Sequence, residues 1–195
     1  LIWLSPVDFN NTYALMMRKD HASRLGIKTI EDLSDYVNAN PDALVIGVNA
    51  EFWERPDGFK PLMKTYAFRV PYDKIRKMES GLVYKALKEK SVDVSMGFAT
   101  DGRIAAFGFV MLEDNRHYFP VYNPAPVVRK EDMDAHPEIR KILNPLGEKL
   151  DTRSMQRLNG LVDVEHRKVN DVARQWLEKQ EFLKTVTDEG ETAGH

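Results

Sequence analysis

Four short stretches of the chain place aromatic rings directly beside hydrogen-bonding groups. They are FNNTY (9–13), EFWERPDG (51–58), GFATDGR (97–103) and YFPVYNPAPVV (118–128). Amides, a hydroxyl or a guanidinium next to a ring suit the holding of a small ligand, where the ring supplies a face and the polar groups fix orientation. Taken singly, each stretch also has a packing explanation. Tyr13 fits a strand-end core residue, Phe98 a core plug, Tyr122 a loop anchor and Trp53 a packed ring, while Arg55 fits an ion pair with Glu54 or Asp57. Asp101-Gly102 is a common turn dipeptide.

Residue types that would transform a ligand are not arranged for it. The five histidines, His21, His117, His136, His166 and His195, are scattered without metal-ligand spacing. GxSxG, P-loop and GxGxxG patterns are absent. Acid pairs such as Glu51/Glu54 or Asp93/Asp101 occur at the density of any polar surface. With no cysteine, thiolate catalysis, disulfides and cysteine-ligated metals are excluded. Neither a cofactor nor a metal is expected. Basic and acidic residues, 28 and 30, are interspersed to a net charge of −2, which is no footprint for nucleic acid. Lys74-Ile75-Arg76-Lys77 is the one basic knot and reads as a solvated face. No apolar run approaches a membrane span. The chain starts at Leu1 with neither Met nor a signal peptide, so a processed end or a fragment boundary is expected.

The elements that must position the four stretches are legible from pattern. Strands are predicted at Ile2–Leu4, Tyr13–Arg18, Ala43–Val48 (the apolar run ALVIGV), Val92–Met96 and Phe107–Leu112. Helices are predicted to open at Thr29, with Glu31 and Asp32 in the first turn, at Asp57-Gly58 and at Ser80-Gly81. Alternating strand and helix implies an α/β unit with a mostly parallel sheet, where ligands bind at the carboxyl ends of strands. After residue 130 the pattern changes to three amphipathic helices, 137–150, 151–162 and 170–183, with caps at Asp151 and Asn170. Helices in that number need a surface to cover, so the chain reads as one complete α/β lobe plus part of a second. The polar end TDEGETAGH is expected to fray.

The ordered set FNNTYAL (9–15), ERPDG (54–58), GLVYKAL (81–87), VDV (92–94), FATDGRI (98–104), LEDNRHYFPVYNPAPVVR (112–129) and VDVEHRKVNDVARQWL (162–177) resembles the substrate-binding proteins of osmoprotectant ABC transporters. This is the OpuAC-type glycine betaine/choline-binding family, and the likeness runs to about Leu183. It implies a type II periplasmic-binding-protein fold of two α/β lobes around a cleft. It also implies that the N-terminal part of lobe one is missing here. Residues 1–6 would then be a crossover strand, 7–105 lobe two, 106–183 the returning part of lobe one, and 184–195 a flexible tail.

The resemblance further implies capture without catalysis of a quaternary ammonium solute such as glycine betaine, choline or carnitine, outside the membrane, for delivery to a permease. A quaternary ammonium has no N–H and is selected by ring faces, each worth about 0.5–2 kcal/mol, so several must surround it. Tyr13, Phe98 and Tyr122 correspond to three walls of such a box, Arg55 to the partner of a ligand carboxylate, and Asn11 and Thr12 to further polar contacts. Phe98 stands where other family members carry Tyr. A homo-oligomer formed through the apolar surface of the incomplete lobe is a further expected partner. A ligand-sensing regulatory domain of the same fold is the alternative reading.

Overall fold

The computed structural model describes residues 1–183. The tail from 184 onward lies outside the described residues. Strand β2 (Tyr13–Arg18) is buried on both faces, so its Leu15, Met16 and Met17 all sit in the core. That burial places β2 inside a five-stranded sheet of order β4-β3-β5-β2-β6, with β3 at Ile46–Asn49, β4 at Ile75–Met78, β5 at Val94–Phe98 and β6 at Phe109–Met111. β3 is parallel to β4 and β5, whereas β2 runs antiparallel to both β5 and β6. The mostly parallel sheet is therefore present with one reversed strand at its heart. The sheet takes in β6, and so continues past residue 105, where the sequence reading places the end of lobe two.

Helices α1 (Lys19–Leu25), α2 (Ile30–Ala39), α3 (Ala50–Glu54), α4 (Phe59–Thr65), α5 (Ser80–Lys88) and α6 (Gly102–Ala106) alternate with these strands. Thr29 caps α2 in a reciprocal box: its hydroxyl accepts the Asp32 N–H at 3.0 Å, and the Asp32 carboxylate accepts the Thr29 N–H at 2.9 Å. α1, α3 and α6 are seven residues or shorter, too short for a helical period to show in the sequence. The basic knot at 74–77 is mostly edge strand β4, where Ile75 points into the core and Arg76 and Lys77 stay exposed. Charges on an edge strand discourage further strand pairing.

A second, two-stranded antiparallel sheet pairs β1 (Ile2–Trp3) with β7 (Val127–Val128). Beyond it come α7 (Lys130–Ala135), α8 (Ile139–Glu148), α9 (Thr152–Asp163) and α10 (Val169–Lys179). Asp151 caps α9 by accepting the Ser154 N–H at 2.7 Å, whereas α10 begins after Lys168 rather than after Asn170. Residues 4–12 and 120–126 run side by side between the two sheets. They are joined by Leu4 N–H to the Pro126 carbonyl (3.0 Å), Val7 N–H to the Pro124 carbonyl (2.8 Å) and Asn11 N–H to the Tyr122 carbonyl (3.1 Å). α9 crosses back onto α6, where Gly102 meets the backbone of Asn159 and Gly160. Among the described residues no helix is long and apolar enough to cross a membrane.

Candidate functional site

Because β2 is reversed, its first residue lies at the same edge of the sheet as the last residues of β3 and β5. Tyr13 is the register partner of Phe98, and their ring centroids are 5.1 Å apart at 33°. Asn49, at the end of β3, turns the chain into α3 by accepting the Phe52 N–H at 2.6 Å. This brings the fully buried Phe52 against Tyr13 at 4.9 Å. Phe119 closes the group at 6.5 Å from Tyr13 and 6.0 Å from Phe52. Four rings thus converge at the carboxyl edge of the sheet, the place where open α/β folds bind ligands. Tyr13 is 8% exposed, so its ring is at once core and rim.

Polar groups fringe this cluster. The Tyr13 hydroxyl donates to Glu51 Oε1 at 3.2 Å. Burial first, and the Glu51 charge second, push the Tyr13 hydroxyl above the ordinary tyrosine range. Arg55, just after α3, holds its guanidinium carbon 5.6 Å from the centre of the Tyr13 ring. Its Nε and Nη2 donate to the two Asp57 oxygens, both at 2.8 Å, and Nη1 donates to Glu51 at 3.3 Å. The fork expected to receive a ligand carboxylate is therefore already gripped by Asp57. These bonds raise the Arg55 pKa and lower that of Asp57.

Asn11 and Thr12 are tied into the loops beside the sheet edge, where residues 4–12 cross residues 120–126, and Thr12 also faces a cavity there. Asn11 Oδ1 accepts the Thr100 hydroxyl at 2.6 Å, and the Thr12 hydroxyl donates to the Pro120 carbonyl at 2.9 Å. The neighbouring Asn10 Oδ1 accepts the Tyr122 N–H at 2.8 Å. The Tyr122 backbone is thereby fixed beside residues 10 and 11, while its side chain leaves it 43% exposed. Among the described residues its ring forms no pair with Tyr13 or Phe98. Of the six residues singled out from the sequence, the structure packs Tyr13 and Phe98 together, sets Arg55 over the Tyr13 ring, and places Asn11, Thr12 and Tyr122 where segments 4–12 and 120–126 cross.

Two cavities open on this edge. One, of about 510 Å³, is lined by Thr12, Tyr13, Phe119, Asp114, Arg153 and Gln156 among others. The second, of about 620 Å³, lies at the ends of β3 and β4 against Asn49, Glu51, Lys77, Glu79 and Ser80.

Residues outside the six singled out from the sequence hold the rings in place. Gln156 and Asn159 of α9 donate to the carbonyls of Ala99 (2.6 Å) and Thr100 (2.8 Å) and so fix the turn that follows Phe98. Asp101 and Arg103 brace the same turn through an ion pair at 2.6 Å, with the Arg103 guanidinium 3.8 Å from the centre of the Tyr84 ring. The Tyr84 hydroxyl accepts the Phe98 N–H at 2.9 Å. Glu51 carries a faint sequence signal, its position four residues before Arg55; Gln156 carries none.

Residues 1–179 match the family described as the substrate binding domain of ABC-type glycine betaine transport systems. The chain belongs to this family. It is 40% identical over 188 residues to a glycine-betaine-binding protein of Pseudomonas aeruginosa, covering 94% of this chain and 60% of that protein. It is 33% identical over 183 residues to the carnitine transport binding protein OpuCC of Listeria monocytogenes, covering 93% and 58%. The chain thus spans about three fifths of the length of these curated relatives. A crystal structure titled glycine betaine/carnitine/choline ABC transporter superposes with a TM-score of 0.85 at 34% identity, over 92% of this chain and 64% of that one. The architecture is that of the type II periplasmic binding proteins.

Proposed function

We propose that the protein captures a small quaternary ammonium solute outside the membrane, without chemical change, and hands it to the permease of an ABC importer. The observation that carries this reading is the Tyr13–Phe98 pair at the carboxyl edge of the sheet, with further rings behind it. Family membership gives the pair a context, since the relatives are named for glycine betaine and carnitine. Tyr13, Phe98 and Tyr122 serve as ring walls for the ammonium group. Arg55 takes a ligand carboxylate by yielding its longer contact, the one to Glu51. Asn11 and Thr12 tie the crossing segments together and orient the walls. A ligand that touches both lobes of a two-lobed fold favours the arrangement in which they close over it, by its differential contacts.

Calorimetric titration of the purified protein with glycine betaine, choline and carnitine tests this. Saturable binding of at least one of them is expected; no binding to any of the three rejects the reading.

A further inference from the structure

Glu51 enters that reading only as the contact that Arg55 gives up, yet it touches two of its residues. Its Oε1 accepts the Tyr13 hydroxyl at 3.2 Å and pairs with Arg55 Nη1 at 3.3 Å. Asp57 holds the other side of the same guanidinium at 2.8 Å. One guanidinium between two carboxylates leaves a net negative charge beside the Tyr13 ring. Lys77 lines the same cavity as Glu51 but lies 4.4 Å from the centre of the Trp53 ring and 5.5 Å from that of Tyr72, and Glu79 adds another carboxylate there. The balance of charge on this flank is therefore anionic.

Two kinds of quaternary ammonium compound meet such a flank differently. One that ends in a hydroxyl carries a net positive charge. It can leave Glu51 on Arg55 and gain from the uncompensated carboxylate. One that ends in a carboxylate is a zwitterion. To reach Arg55 it must displace Glu51, because the paired 2.8 Å bonds to Asp57 form the stronger grip. Any carboxylate that stays near Glu51 also meets like charge.

We infer that Glu51 is a specificity-determining residue, an anion that favours a net-cationic quaternary ammonium over a zwitterionic one at the same ring cluster. The inference rests on the ligand reading given above and adds a direction of preference to it. Its signature is weaker binding of the cationic ligand without weaker binding of the zwitterion, which a loss of structure cannot produce.

The experiment is titration of wild type and Glu51→Gln with choline chloride and with glycine betaine at low and high sodium chloride. Glu51 has a side chain 60% exposed, and glutamine can still accept from Tyr13 and Arg55, so the variant keeps the fold. Choline is expected to bind the variant more weakly while glycine betaine binds equally or more tightly, shifting the ratio of their dissociation constants by about tenfold toward betaine. Raising salt is expected to weaken choline binding to wild type more than to the variant. Equal changes for both ligands, or no change for either, overturn the role of Glu51 while leaving the ligand reading intact. Absence of binding by both ligands to wild type removes the ligand reading and this inference together.

Discussion

Tyr13 and Phe98 face each other across neighbouring antiparallel strands, in register and with ring centroids 5.1 Å apart. The contact exists because β2 enters the sheet against the direction of β5, so that the start of one strand meets the end of the other. A β2 parallel to its neighbours would carry Tyr13 to the far edge of the sheet. The topology of the sheet thus creates the rim to which the proposed ligand chemistry is assigned.

Tyr13 serves packing and rim together, and truncation separates the two roles. Tyr13→Ala removes a ring that is 8% exposed and packed against Phe52, Phe98 and Phe119. It should cost about 3–5 kcal/mol in chemical denaturation. Tyr13→Phe loses only the 3.2 Å bond to an exposed carboxylate and should cost under about 1 kcal/mol.

Tyr122 gives the converse case. Its side chain leaves it 43% exposed, and its position is fixed through backbone bonds to Asn10 and Asn11, which any residue can make. Tyr122→Ala should change stability by no more than about 0.5 kcal/mol. It should nevertheless weaken quaternary ammonium binding by about tenfold, as calorimetry would read it.

The joint between the two parts of the chain has a backbone-to-backbone fit at Gly102. A Cβ there would overlap the Gly160 backbone nitrogen. Gly102→Ala should therefore push α9 off α6 and cost about 1–3 kcal/mol. Gly81→Ala, in α5, is the control. Its Cβ would meet nothing nearer than Arg103 Nη1 at 4.0 Å, so it should be neutral or slightly stabilising in the same denaturation assay.

Asp101 makes an acid-dependent contribution to the same region. Burial acts to raise its pKa, but the hydrogen bonds and charge of Arg103 outweigh burial and hold it below the ordinary carboxylate value. A folded-state pKa below the unfolded one gives stability that is present above about pH 4 and lost as pH falls through the lowered value. Thermal melts of wild type and Asp101→Asn should therefore converge as pH is lowered through the acid range below about pH 4, with wild type the more stable at pH 7. A constant difference across that range would show that the Asp101–Arg103 pair does not report on pH.

Local features were readable from the chain and non-local ones were not. The strand at 13–18 and the Thr29 cap depend on near neighbours in sequence, and the structure has both. The rings at 13, 98 and 119 were visible as types, but their meeting depends on the direction of β2, which no window of residues encodes. Arg55 was visible as a guanidinium. That Asp57 and Glu51 already share it is a matter of rotamers at the end of α3. Gln156 gave no signal at all, because the carbonyl it serves, on Ala99, lies far away in the chain. Helices α1, α3 and α6 escaped because each is two turns or less.

On the proposed reading, ring faces at this edge select a positive charge, not merely an apolar shape. Its most direct test is a pair of titrations of the purified protein, one with choline and one with 3,3-dimethyl-1-butanol, the neutral carbon isostere of choline. Shape and hydroxyl are the same in both, and charge alone differs. Choline is expected to bind at least about tenfold more tightly. Equal affinity for the two compounds contradicts it.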